Sequence, residues 1–152
     1  MTQGLRETVQ SHSTSDSYYA LWNISVGAEM QDVLTFQTGN FFEDAYPPGA
    51  DVFFLSHVLH DWGREDCLRL LQRCYEALPT GGVVIAAEFL LNEEKTGPLL
   101  AAFQGLHVFY SNLEAKQWTG SEIQQMMAEV GFKDGDIRPI DPEQSIVIGW
   151  KR

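Results

Sequence analysis

Two short stretches, "DVFFLSHVLH" at residues 51–60 and "GGVVIAAEFL" at 81–90, are apolar almost without interruption. A strand that alternates apolar and polar residues buries one face, whereas a strand that is apolar nearly throughout is suited to burial on both. Between the two runs, Cys67, Leu71, Cys74 and Leu78 recur at helical spacing, with Leu68 and Tyr75 beside them. Glu65 and Asp66 fall in the first turn of that helix, where its dipole favours anions. The "PTGG" at 79–82 ends it. Strand, helix and strand, with both strands buried, predict a parallel sheet covered by helices.

The remaining segments extend this α/β pattern. "YALWNISV" (19–26) alternates in its second half and reads as a short strand with one wet face, and "VLTFQTG" (33–39) reads as another. "NFFEDAYPPGA" (40–50) is a loop set by Pro47, Pro48 and Gly49. "GPLLAAFQGLHVFYSN" (97–112) and "TGSEIQQMMAEVGF" (119–132) read as helices. The second opens on Thr119 with Glu122 three residues on, the spacing of a capping box. Its apolar face is Ile123, Met126, Met127 and Val130, and Gly131 stops it. "DIRPI" and "QSIVIGWKR" close the chain as an antiparallel hairpin at one sheet edge. Residues 1–17, rich in Ser, Thr and Gln, read as a loose tail.

At 152 residues with 44% hydrophobic content, one domain with its own core is expected. A formal net charge of −11 repels phosphate backbones and anionic lipid, so neither nucleic acid nor a membrane surface is an expected partner. The longest apolar run, "VVIAAEFLL", is too short to span a bilayer and is interrupted by Glu88. The polar N-terminus lacks the apolar core of a secretory signal. Cys67 and Cys74 on one helix would stand roughly 10 Å apart along its axis, too far to bridge. They read as reduced core residues of a cytoplasmic protein. The four histidines show no metal-ligand spacing, and no metal site is expected. No G-x-S-x-G elbow is present for a hydrolase.

Four stretches carry a resemblance: "TGNFFED" (38–44), "SHVLHDWGREDCLRLL" (56–71), "LPTGGVVIAAEFLLNEEKTGP" (78–98) and "EAKQWTGSEIQQMMAEVGF" (114–132). In this order they resemble the C-terminal part of a class I S-adenosylmethionine-dependent O-methyltransferase domain, of the acetylserotonin O-methyltransferase-like family. The resemblance implies a Rossmann-like fold, incomplete at its N-terminal half. It implies a divergent or partly disordered segment 1–32 ahead of a methyltransferase-like domain 33–152. It also implies methyl transfer from S-adenosylmethionine to a hydroxyl of a small aromatic acceptor. A histidine at position 60, on spacing alone, reads as a helix cap or a partner of Asp61. In the "LHDW" context the resemblance makes His60 the general base, Glu88 the carboxylate beside it, and Asp61 a further member of the motif. A neutral imidazole titrating near pH 6.5 suits that task. Asn40 and Phe41 fall at positions that meet adenine, and His57 at a position on the cofactor side.

Several positions depart from the family pattern. The only upstream glycine stretch, "ISVGAEMQD" (24–32), is not a glycine-rich cofactor loop. Asn40 replaces an Asp, and His57 a Lys or Arg. Gln117 stands for a second Glu beside the base, and Trp118 for an Arg. No stretch matches the helical dimerisation domain. These departures leave a second expectation open: a catalytically inactive or truncated module with an interaction or structural role. Omission of the early strands would part 33–39 from 51–58. Then either "ALWNISV" fills the gap, or an apolar edge invites a second copy or a partner chain to complete the sheet.

Overall fold

The computed structural model describes Thr8–Val9, Thr35–Phe36 and residues 39–152. The chain divides into two compact units, Met1–Ala50 and Asp51–Arg152. In the first, strand β1 (Thr8–Val9) pairs in parallel with β2 (Thr35–Phe36). β1 thus lies within the stretch read as a loose tail, and β2 within the run read as a strand. The expected strand at 19–26 and the glycine segment at 24–32 lie outside the described residues. At 40–44 the backbone turns tightly. Asn40 O accepts from the N–H groups of Glu43 (3.1 Å) and Asp44 (2.8 Å), and Asn40 Oδ1 accepts from Phe42 N at 2.9 Å.

The second unit carries the α/β pattern. Strand β3 (Val52–Ser56) leads through a 3-10 turn (Leu59–Asp61) into helix α1 (Arg64–Ala77) and then strand β4 (Val83–Glu88). Helices α2 (Leu99–Ser111) and α3 (Gly120–Val130) follow, then strands β5 (Lys133–Pro139) and β6 (Ser145–Trp150). The sheet order is β3-β4-β6-β5. β3 and β4 are parallel with Val52 opposite Val83, and β6 runs antiparallel to both β4 and β5. The parallel pair and the closing hairpin both match the sequence reading.

The core gathers where the periodicities place it. α1 buries Cys67, Leu70, Leu71 and Cys74, with Leu78 buried just beyond its end. Leu70 takes the place that the reading gave Leu68, because it shares the face of Cys67 and Cys74 at three- and four-residue spacing. α3 buries Ile123, Met126 and Met127 and packs on α1, β5 and β6. Gly131 ends α3 at φ 121, a backbone conformation that a side chain rarely adopts. The capping box is complete. Thr119 Oγ1 accepts from Glu122 N at 3.1 Å, and Glu122 Oε2 accepts from Thr119 N at 2.9 Å. Removal of the hydroxyl in Thr119→Ala is expected to cost about 1 kcal/mol. It should appear as a lowered urea midpoint at unchanged slope; an unmoved midpoint would mean that the box adds nothing.

Two expectations about the first apolar run are corrected. β3 stops at Ser56 rather than reaching residue 60, because His57 adopts a left-handed backbone, φ 54, and turns the chain out of the strand. Nor is β3 buried on both faces: Phe54 is 60% exposed, and among the described residues β3 is the outer strand of its sheet. Successive side chains of a strand stand on opposite faces, and in β3 the face that carries Val52, Phe54 and Ser56 is the exposed one. Among the described residues no helix is long and apolar enough to cross a membrane.

Candidate active site

β3 and β4 are parallel, so their carboxyl ends lie together, and crevices at such ends are where α/β sheets bind ligands. His57 N donates to Ala87 O at 3.0 Å, the last rung joining the two strand ends. The left-handed residue then sends the chain into the 3-10 turn. Asp61 N bonds to Val58 O at 3.2 Å, and Trp62 N to Leu59 O at 3.3 Å. A turn of this kind leaves its leading N–H groups without backbone partners. Glu88 supplies the partner: Oε1 accepts from Val58 N at 3.0 Å and Leu59 N at 2.9 Å.

The other oxygen of the same carboxylate, Oε2, lies 2.7 Å from His60 Nδ1. Glu88 is 1% exposed and His60 4%. A buried charge demands this degree of pairing, and the apolar run around Glu88 is tolerable because all three contacts go to one carboxylate. With Nδ1–H donating to Glu88, the lone pair of His60 resides on Nε2. Asp61 Oδ1 stands 3.5 Å from that nitrogen, on a side chain 53% exposed. Burial disfavours the imidazolium, but the Glu88 hydrogen bond and the charges of Glu88 and Asp61 outweigh it. His60 is therefore held above the usual histidine pKa. Asp61 is also held above its usual value, here by burial itself, with His60 opposing.

The turn is held from the far side by the segment joining α2 to α3. Trp118 Nε1 donates to Leu59 O at 2.9 Å, Lys116 N to His60 O at 3.0 Å, and Asn112 Nδ2 to Asp61 O at 2.8 Å. Cys67 Sγ also reaches Leu59 O, at 3.3 Å. Burial pushes its thiol up to about 12, reinforced by the charges of Glu88 and Asp66, so it is no nucleophile. Both cysteines are free. Trp118 and Asn112 were not singled out as holding the site. An indole N–H inside a core must find an acceptor, and that was the available signal.

The structure thus brings together His57, His60, Asp61 and Glu88. Asn40 and Phe41 belong to the other unit; there Phe41 is buried and meets Phe42 edge to face at 4.7 Å. Gln117 is 6% exposed, and its Nε2 donates to Phe89 O. Its Oε1 is buried with no hydrogen-bond partner among the described residues. His107 points its side of α2 to solvent.

Relatives of known character share this arrangement of sequence and fold. Residues 22–133 match the model of the O-methyltransferase domain. Acetylserotonin O-methyltransferase of Gallus gallus is 33% identical over 118 residues, which cover 78% of this chain and 34% of that protein. Human N-acetylserotonin methyltransferase, solved in complex with SAM, superposes with a TM-score of 0.75 at 30% identity, over 80% of this chain and 34% of that one. An O-methyltransferase family 2 protein of Planctomyces limnophilus, solved in complex with apigenin, gives a TM-score of 0.75 at 33% identity, over 82% and 36%. The chain therefore spans about a third of the length of the relatives it matches. Through residues 22–133 it belongs to the O-methyltransferase domain family.

Proposed function

We propose that this chain binds S-adenosylmethionine as an O-methyltransferase-like domain and transfers its methyl group to a hydroxyl of a small aromatic molecule. The observation that carries this reading is the buried Glu88–His60 pair at 2.7 Å, which leaves His60 Nε2 as a proton acceptor at the sheet's carboxyl edge. An aromatic hydroxyl is a weak nucleophile until its proton departs, and His60 Nε2 takes that proton. Glu88 fixes the ring and stabilises the imidazolium that results, while Asp61 lies within ion-pair reach of the same nitrogen. S-adenosylmethionine, when bound, supplies a methyl group on a sulfonium; the acceptor oxygen gains the methyl as the sulfur–carbon bond breaks.

Acceptors of aromatic character are supported by the relatives, whose names point to hydroxylated ring systems. The unpartnered Oε1 of Gln117 offers such a molecule a hydrogen-bond acceptor next to Lys116, which itself bonds to the His60 carbonyl. Toward the cofactor, the reading gives adenine to Asn40 and Phe41, and the cofactor side to His57. Asn40 Oδ1 is already engaged by Phe42 N, so the side-chain NH₂ is what it would offer a purine. A cytoplasmic setting fits the two free cysteines. A second copy or partner chain fits the exposed Phe54 on the outer strand β3.

Calorimetric titration with S-adenosylmethionine and S-adenosylhomocysteine tests the reading. Binding at roughly micromolar strength, about −8 kcal/mol, is expected, followed by methylation of a hydroxylated aromatic. No heat at millimolar ligand would overturn it for this chain.

A further inference from the structure

The turn that positions the base also brings together a set of donors whose types and spacing suit a cation. His57, His60 and Glu88 each present one ligating atom, and the three atoms lie within 4.8 Å of one another. His60 Nδ1 is 2.7 Å from Glu88 Oε2, and His57 Nδ1 is 4.0 Å from the same oxygen. We propose that His57, His60 and Glu88 form a binding site for one divalent transition-metal ion of the zinc type.

The donor set is the first argument. Two imidazoles and one carboxylate are the nitrogen and oxygen ligands that suit zinc and its neighbours, and three protein ligands leave a fourth position open to water. The second argument is orientation. Glu88 Oε1 is held by the backbone N–H groups of Val58 and Leu59, so Oε2 is the oxygen presented to both histidines. Outer contacts of this kind fix metal-ligating carboxylates. The third is His60 itself. A metal on Nδ1 displaces the proton there, and the neutral ring then carries its hydrogen on Nε2. Asp61 Oδ1 waits 3.5 Å from Nε2, giving the carboxylate–histidine pairing that supports metal ligands elsewhere.

Distances permit closure. Bonds of about 2.0–2.1 Å at tetrahedral angles separate ligand atoms by roughly 3.3 Å. The 2.7 Å pair must open and the 4.0 Å pair must close, each by roughly 0.6–0.7 Å, and the two histidine nitrogens, up to 4.8 Å apart, must close by up to about 1.5 Å. His57 is the partner able to move, since its side chain is 28% exposed. Its ring leans on Phe89 at 4.9 Å between centroids and stands 5.8 Å from the His60 ring. His57 also holds a left-handed backbone that is uncommon for a residue with a side chain, a kind of strain that collects at functional sites. A formal charge of −11 favours cations throughout. The metal takes the proton-bearing nitrogen of His60 and ties down the ring, so it opposes proton abstraction; that consequence, though not the site itself, rests on the reading of His60 as the base.

The test uses metals alone. The whole chain is titrated with Zn²⁺ by calorimetry and with Co²⁺ by its visible ligand-field absorption, in the absence of cofactor and acceptor. One ion is expected, with an intense Co²⁺ spectrum of low coordination number that Zn²⁺ abolishes. His57→Gln should weaken Zn²⁺ by at least the roughly 10–100-fold that loss of even an outer-shell partner costs. His107→Gln, on exposed α2, should leave affinity unchanged. No binding at millimolar Zn²⁺ would overturn the proposal. So would equal affinity in His57→Gln, because the ion would then lie elsewhere. Should His57→Gln not fold, absence of the Co²⁺ spectrum in the unaltered chain suffices to reject the site. None of these readouts depends on methyl transfer, so failure here and failure of the proposed function are distinguished.

Discussion

His60→Gln is expected to lower methyl transfer by roughly 10²–10⁴-fold, the usual worth of a positioned general base, while S-adenosylmethionine affinity stays near that of the unaltered chain. Glutamine is close in length and can still accept from neighbouring donors, but it cannot take a proton at Nε2. The split between a fallen turnover and retained binding is the diagnostic, because a chain that merely unfolded would lose both. The pH profile gives a second reading. The base works only when neutral, and Glu88 and Asp61 hold His60 above its usual value despite burial. Activity of the unaltered chain should therefore climb with pH along a limb whose midpoint lies above about 6.5. That limb should vanish from the residual activity of His60→Gln. Stability runs the opposite way. A histidine whose folded pKa is raised contributes stability that is fully present below its unfolded pKa and is lost as pH rises through its folded one. The conditions that favour turnover are thus those in which the pair holds the turn least firmly. Unchanged turnover in His60→Gln would remove His60 from the chemistry.

The sequence announced the frame of this site better than its joints. The βαβ unit was legible because its pattern is repetitive: two apolar runs, helical spacing of Cys67, Leu71 and Cys74, and a glycine stop. The capping box at Thr119 was legible for the same reason, since both partners are local. What could not be read was the end of β3. Histidine is only somewhat favoured in the left-handed region, and an apolar run continues past His57, so residues 57–60 looked like strand. That one backbone angle makes the 3-10 turn, and the turn brings His57 and His60 to face Glu88. Partners separated by 28 or more residues depend on register between strands, and register is not written in spacing. The role of Trp118 was hidden likewise: its indole reaches Leu59 O across 59 positions. The outer position of β3 also escaped a local reading, because apolar composition does not say on how many sides a strand is paired.

Glu88→Ala is expected to destabilise the Asp51–Arg152 unit by about 3–5 kcal/mol, the usual cost of breaking a buried ion pair by removing one partner. Three donors lose their acceptor at once: Val58 N, Leu59 N and His60 Nδ1. Each unsatisfied buried donor costs roughly 1–3 kcal/mol on its own, and water entering the vacated space returns part of that sum. Against a total stability of about 5–15 kcal/mol, the loss should be plain in a urea or thermal transition. Glu88→Gln separates the contributions. Its carbonyl oxygen can still accept from the two backbone N–H groups, whereas its NH₂ can bond Nδ1 only in the tautomer of His60 that carries its hydrogen on Nε2, and the negative charge is gone. It should therefore fall between the unaltered chain and Glu88→Ala. Combining Glu88→Ala with His60→Leu isolates the pair itself: in a double-mutant cycle, contacting residues show coupling of about 0.5–3 kcal/mol. If Glu88→Ala costs under about 1 kcal/mol, below even one unsatisfied donor, the carboxylate is not what holds the turn. The turn would then rest on the other side, on Trp118, Lys116 and Asn112. The orientation of His60 would derive from the segment between α2 and α3 rather than from the end of β4.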